Sequence, residues 1–142
     1  YLHKLEGKKI GFLGLTYKPG TSTLRCSSAV RLAREFKKTG AICLAYDPEA
    51  DENELKQYLN LVKRLKSPQD LASQADILVL VTEWPEFTSL DYKSLAKKMT
   101  RPVLIDAKNF LDGQKIAASG FIYQGYGRKA INQTPCGQAI GV

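Results

Sequence analysis

Apolar residues along this chain follow two alternating rhythms: short unbroken runs, and stretches in which they return every three or four positions. Residues 9–15, KIGFLGL, form the first run, which predicts a strand buried on both faces. Ala29, Val30, Leu32, Ala33 and Phe36 then share one side of a helix that Ser27 caps and Gly40 ends. A second strand over residues 41–46 closes at Asp47-Pro48. Asp51 and Glu54 are spaced as a capping box for a short helix reaching about Leu61. Ser67 and Asp70 repeat that spacing before a helix ending at Ala75, with residues 61–65 between them as a short extra strand. The run 77–82, ILVLVT, is apolar on both faces, as a central parallel strand requires. Residues 90–98 read as a helix, 103–106 as a strand, 112–119 as a helix and 121–124 as a last strand.

Strands alternating with helices at these intervals predict an α/β fold. The expected form is a Rossmann-like, doubly wound, mainly parallel sheet of five to six strands with helices on both faces. Residues 129–142 carry neither rhythm and are expected to form a loose tail.

Composition narrows the function. A length of 142 residues suits one domain that buries about two-thirds of its unfolded surface. No apolar run approaches the ~18 residues of a membrane span, and no secretory pattern opens the chain, so no membrane partner and a cytoplasmic location are expected. Cys26, Cys43 and Cys136 form neither a CxxC pair nor a metal spacing, and read as reduced thiols. Cys43 falls in a strand. The one histidine, His3, lies at the start of the chain, so no Cys–His pair, catalytic residue or metal set is expected. The net charge of +7 invites a nucleic-acid reading. Much of it has a simpler origin: Lys37, Lys38, Lys97 and Lys98 sit where helices end and complement the dipole. No nucleic-acid motif accompanies them.

The chemistry concentrates after the first strand. In an open α/β sheet, ligands bind beyond the carboxyl ends of the strands. Lys18, Lys108 and Arg128 each follow a predicted strand at that edge, and Arg25 joins them at the start of the first helix. Cations gathered beside helix amides suit a diphosphate. The turn is not a GxGxxG fingerprint: Gly11 and Gly14 fall inside the strand, while Tyr17 and Lys18 occupy the turn. Asp47 reads as a turn residue with Pro48, and Trp84 as core packing. The residues alone describe a binding domain without its own catalytic machinery.

At this level of detail GKKIGFLGLTYKPGTSTLR becomes recognisable. With AYDP at 45–48, ADILVLVTEWPEF at 75–87, LDYKSLAKKM at 90–99, VLIDAKNFLDG at 103–113 and YQGYGR ending at Arg128, it resembles the C-terminal, nucleotide-sugar-binding domain of the UDP-glucose/GDP-mannose dehydrogenase family. The UDP-glucose branch is the nearest match. The resemblance implies a portion of a larger NAD-dependent enzyme that oxidises a UDP-sugar at C6 to the uronate. The catalytic cysteine and principal NAD domain would lie in an N-terminal partner domain, and the parent would be a homodimer or higher homo-oligomer. Residues 1–6 would be the remnant of a preceding central helix or linker, and residues 7–128 would form the nucleotide-sugar-binding domain.

Carried over by position, Tyr17, Lys18 and Lys108 are implied to contact the UDP-sugar, and Arg25 the NAD pyrophosphate. Thr23 and Cys26 replace the Asp and Glu usual on either side of that arginine. The alternative is a non-catalytic nucleotide-sensing module built on a similar sheet.

Overall fold

The computed structural model describes residues 1–132. It contains one sheet of six strands in the order β3-β2-β1-β4-β5-β6. The strands are β1 Lys9–Leu13, β2 Ile42–Tyr46, β3 Val62–Arg64, β4 Ile77–Leu80, β5 Val103–Asp106 and β6 Ile122–Gly125. Every pairing between them is parallel. The helices are α1 Ser28–Lys38, α2 Glu52–Lys56, α3 Pro68–Gln74, α4 Tyr92–Lys98 and α5 Gly113–Ala118. This is the expected doubly wound architecture, with its switch point between β1 and β4. None of the described helices is long and apolar enough to cross a membrane.

Two apolar layers sandwich the sheet. On one face Leu44, Leu78, Leu80 and Leu104 meet the side chains of α3, α4 and α5, with Phe87 and Phe121 fully buried among them. On the other, Ile10, Phe12, Cys43 and Ala45 lie under Ala29, Val30 and Ala33 of α1 and Leu55 of α2. Leu2 and Leu5, ahead of β1, pack on this second layer. They help line a cavity of about 210 Å³ with Ile77, Val79 and Ile105.

Local rules account for where elements begin and end. Ser27 accepts the amide of Val30 at 3.3 Å as the N-cap of α1, and Lys37 and Lys38 occupy its last turn. β1 stops at Leu13, two residues earlier than the apolar run, because Gly14 turns to φ +94°. A 3-10 helix at Pro85–Ser89, absent from the sequence expectation, fills the approach to α4, so α4 starts at Tyr92 and not at Leu90. α2 is one turn and a half instead of the predicted reach to Leu61. Ile131, inside the stretch expected to be a loose tail, forms an antiparallel bridge with Tyr123 and packs on the core. The rest of that stretch, from residue 133, lies outside the described residues.

Close contacts dictate glycine at several positions, Gly11 and Gly14 among them. A Cβ on Gly11 would sit 2.8 Å from Ala75 Cβ, at the end of α3, so this glycine lets α3 lie close on β1. A Cβ on Gly14 would come within 2.4 Å of Thr82 Cβ and 2.8 Å of the Thr82 backbone nitrogen. Gly14→Ala therefore adds a backbone clash to a left-handed strain, and is expected to lower stability by about 2–4 kcal/mol, read as a fall in the urea unfolding midpoint.

Candidate functional site

The carboxyl edge of the sheet carries the loops leaving β1, β4, β5 and β6. Two buried carboxylates at strand ends hold these loops. Both are 0% exposed, and both are saturated with donors. Asp47, just past β2, accepts from the amides of Leu15 at 2.7 Å and Thr16 at 3.0 Å and from the Thr16 hydroxyl at 3.1 Å. It also accepts from the Trp84 indole at 3.1 Å and the amide of Glu49 at 2.9 Å. One side chain thus joins the loops after β1, β2 and β4. Thr82 adds to the knot by donating to the Thr16 carbonyl at 2.8 Å.

Asp106, the last residue of β5, plays the same part on the other side. Its oxygens accept from the amides of Lys108 (3.0 Å), Phe110 (2.9 Å) and Leu111 (2.8 Å) and from the Tyr123 hydroxyl (2.8 Å). A buried carboxylate is costly unless its lone pairs are met by donors; here four donors meet them. Tyr123 feels the consequence. Burial first, then the hydrogen bond and charge of Asp106, push its hydroxyl well above the usual tyrosine range. Burial likewise raises Tyr92, whose hydroxyl donates to the Phe87 carbonyl at 2.6 Å.

The loop after β1 makes an excursion over the rim. Tyr17 donates its amide to the Thr23 carbonyl at 2.9 Å, closing a tip in which Thr21 bonds back to the Lys18 carbonyl. Glu54 of α2 anchors the base, accepting from the Leu24 amide at 2.6 Å and the Thr23 hydroxyl at 3.1 Å. The expected capping box is therefore half realised. Asp51 accepts from the amides of Asn53 and Glu54, while the Glu54 carboxylate serves the neighbouring loop and the Asp51 amide goes to Ser22.

Lys18 lies in this tip, exposed, and the Tyr17 beside it is 53% exposed. Arg25 is exposed at the base of the excursion, ahead of the Ser27 cap. Lys108 follows β5, and Arg128 ends the turn after β6, where its amide bonds the Gly125 carbonyl at 3.2 Å. β1 and β5 flank β4, so the loops bearing Lys18 and Lys108 leave one edge about 10 Å apart at their roots. Among the described residues, Lys108 alone of these four cations has an ion-pair partner: Glu83, after β4, at 3.8 Å. Both side chains are nearly two-fifths exposed, so the pair is weak and exchangeable.

Trp84 is buried against the core, as the sequence suggested, with its indole nitrogen turned to Asp47 and Thr16. Cys43 is buried and its thiol is pushed up to about 11 by desolvation, which makes it an inert packing residue. Cys26 is exposed, with a left-handed φ of 60°. The role of Asp106 escaped the sequence reading. Its only signal was a carboxylate closing an otherwise apolar strand.

Comparison with known proteins gives a consistent set of relatives. The model of the UDP-glucose/GDP-mannose dehydrogenase family, UDP binding domain, matches residues 11–113. A UDP-glucose 6-dehydrogenase of Rhizobium meliloti is 39% identical over 124 residues, covering 87% of this chain and 28% of its own length. One from Pseudomonas aeruginosa is 34% identical over 128 residues, again 87% of this chain and 28% of that protein. The chain thus spans little more than a quarter of these relatives. Among solved structures, a UDP-glucose dehydrogenase from Pyrobaculum islandicum superposes with a TM-score of 0.69 at 31% identity, over 86% of this chain and 26% of that one.

Three tyrosines with raised pKa set a pH dependence. Tyr123, Tyr92 and Tyr46 (the last pushed up to about 12 by burial and then by Glu86) hold their protons more tightly folded than unfolded. The stability they contribute is complete below about pH 10, the unfolded value, and is lost as pH rises toward the folded ones. Urea midpoints are therefore expected to fall from pH 9 to pH 11. Tyr123→Phe should cost about 1–2 kcal/mol at pH 7.5 by removing one donor from Asp106, and should flatten the alkaline decline.

Proposed function

This chain belongs to the UDP-glucose/GDP-mannose dehydrogenase family, and we propose that its carboxyl rim holds the diphosphate of a UDP-sugar. The observation that carries this reading is the set of cations on three loops of one edge, Lys18, Lys108 and Arg128, of which two have no acidic partner among the described residues. A diphosphate brings charges that such groups neutralise without reorganising the core, since Asp47 and Asp106 are already satisfied. Tyr17 offers an exposed ring beside Lys18 for the nucleoside or sugar. Lysine at position 108 acts as a point charge and lacks the fork of an arginine; it exchanges Glu83 for phosphate.

In this proposal residues 7–128 are the nucleotide-sugar-binding unit and residues 1–6, which are not helical here, the remnant of a preceding helix or linker. The parent is a cytoplasmic homo-oligomer that oxidises UDP-glucose, or a related UDP- or GDP-sugar, at C6 to the uronate. NAD supplies the hydride acceptor. The turn after β1 does not fit the NAD pyrophosphate, because Tyr17 and Lys18 occupy it and Gly14 is pressed on Thr82. NAD is accordingly assigned to another part of the parent, with Arg25 as the one contact from this sheet. Arg25 suits such a contact, being exposed at the rim with no acidic partner among the described residues.

Titration of the protein with UDP-glucose tests the reading. Lys18→Ala is expected to weaken binding about tenfold, the loss of one charge-assisted contact. Lys108→Ala should weaken it less, because Glu83 already offsets part of its charge. Unchanged affinity in both variants would overturn the assignment.

A further inference from the structure

Asn109 behaves unlike an ordinary loop residue. Its backbone is left-handed, with φ of 51°, and its Oδ1 is buried without a hydrogen-bond partner among the described residues. Both features cost free energy. The backbone turn at Asn109 sits among the amides of Lys108, Phe110 and Leu111 that Asp106 gathers, but none of those bonds uses the Asn109 side chain.

What the side chain does is reach the next loop. Its Nδ2 donates to the Tyr126 carbonyl at 3.0 Å, while the Tyr126 amide returns to the Asp106 carbonyl at 3.1 Å. Gly125 makes room for this brace. A Cβ there would lie 2.5 Å from Asn109 Oδ1 and 3.2 Å from Arg128 Cδ. The Asn109 amide and the stem of Arg128 therefore share one bare stretch of backbone.

We infer that Asn109 is a positioning residue for the rim: its side chain ties the Lys108 loop to the Arg128 turn and fixes the spacing of the two charges. The inference rests on the reading of that rim as a diphosphate site. A lysine on a free loop would lose both backbone and side-chain entropy when it engages a phosphate. The brace removes the backbone share of that loss before the ligand arrives. The two unfavourable features of Asn109 are the counterpart of that order.

Asn109→Gly keeps the left-handed backbone and deletes the brace. In the intact protein it is expected to bind UDP, and inorganic pyrophosphate as a probe without the nucleoside, about tenfold more weakly, with a thermal midpoint near that of the wild type. The deciding measurement is a double-mutant cycle: Lys108→Ala should cost clearly less affinity in the Asn109→Gly background than in the wild type. Unchanged affinity in Asn109→Gly, or losses that add in full, overturn the inference; if Lys108→Ala alone still weakens binding, the diphosphate site stands without it. A wild type that binds neither probe overturns both. If Asn109→Gly unfolds, Gly125→Ala displaces the same oxygen from the opposite side, and its failure to weaken binding would also overturn the brace.

Discussion

A parallel sheet ends in a row of loops, and each loop brings backbone amides that the strand ladder cannot satisfy. This protein meets that constraint with two fully buried carboxylates, one on each side of the switch point. Asp47 gathers donors from the loops after β1, β2 and β4. Asp106 gathers the loop after β5 and, through Tyr123, the strand beyond it. Removing either would leave several donors buried and unpaired, so the geometry of the rim depends on both. Arg64 reinforces the first knot by donating to the Asp47 carbonyl at 2.7 Å.

The same device settles an electrostatic question. Negative charge close to a phosphate site would ordinarily weaken it. Asp47 and Asp106 are turned inward and matched by inward-pointing donors, and Glu54 is engaged by the Leu24 amide and the Thr23 hydroxyl. Glu83, after β4, is half-exposed and only loosely paired with Lys108. Positive potential at the edge thus survives beside carboxylates within the same fold, and the net charge of +7 adds to it over roughly a Debye length.

The strands were legible because a parallel sheet covered on both faces demands unbroken apolar runs, although β4 ends at Leu80, two residues short of the ILVLVT run. Helix starts were legible where a serine or aspartate stood before them, as at Ser27 and Ser67. The 3-10 helix at Pro85–Ser89 was not, since five residues are too few to display a period. Glu54 was misassigned because a capping-box spacing cannot tell a carboxylate that bends back to its own helix from one that reaches a loop 30 residues away in sequence. Ile131 was hidden in polar surroundings, and its pairing with Tyr123 is decided by a strand edge that only the assembled sheet presents. The edge occupied by Lys18, Lys108 and Arg128 followed from the place of each cation just after a predicted strand, but the links between those loops did not, since they run through main-chain carbonyls that sequence does not mark.

The excursion after β1 is clamped at its neck, by Tyr17 to Thr23 and by Glu54 to Leu24, and its outermost residues, 18–21, support nothing in the interior. Such an arrangement separates evolvability from foldability. Letters in the tip can be exchanged without disturbing the scaffold beneath, so a lineage built on this chain can retune what it recognises through a handful of exposed positions while its core stays the same.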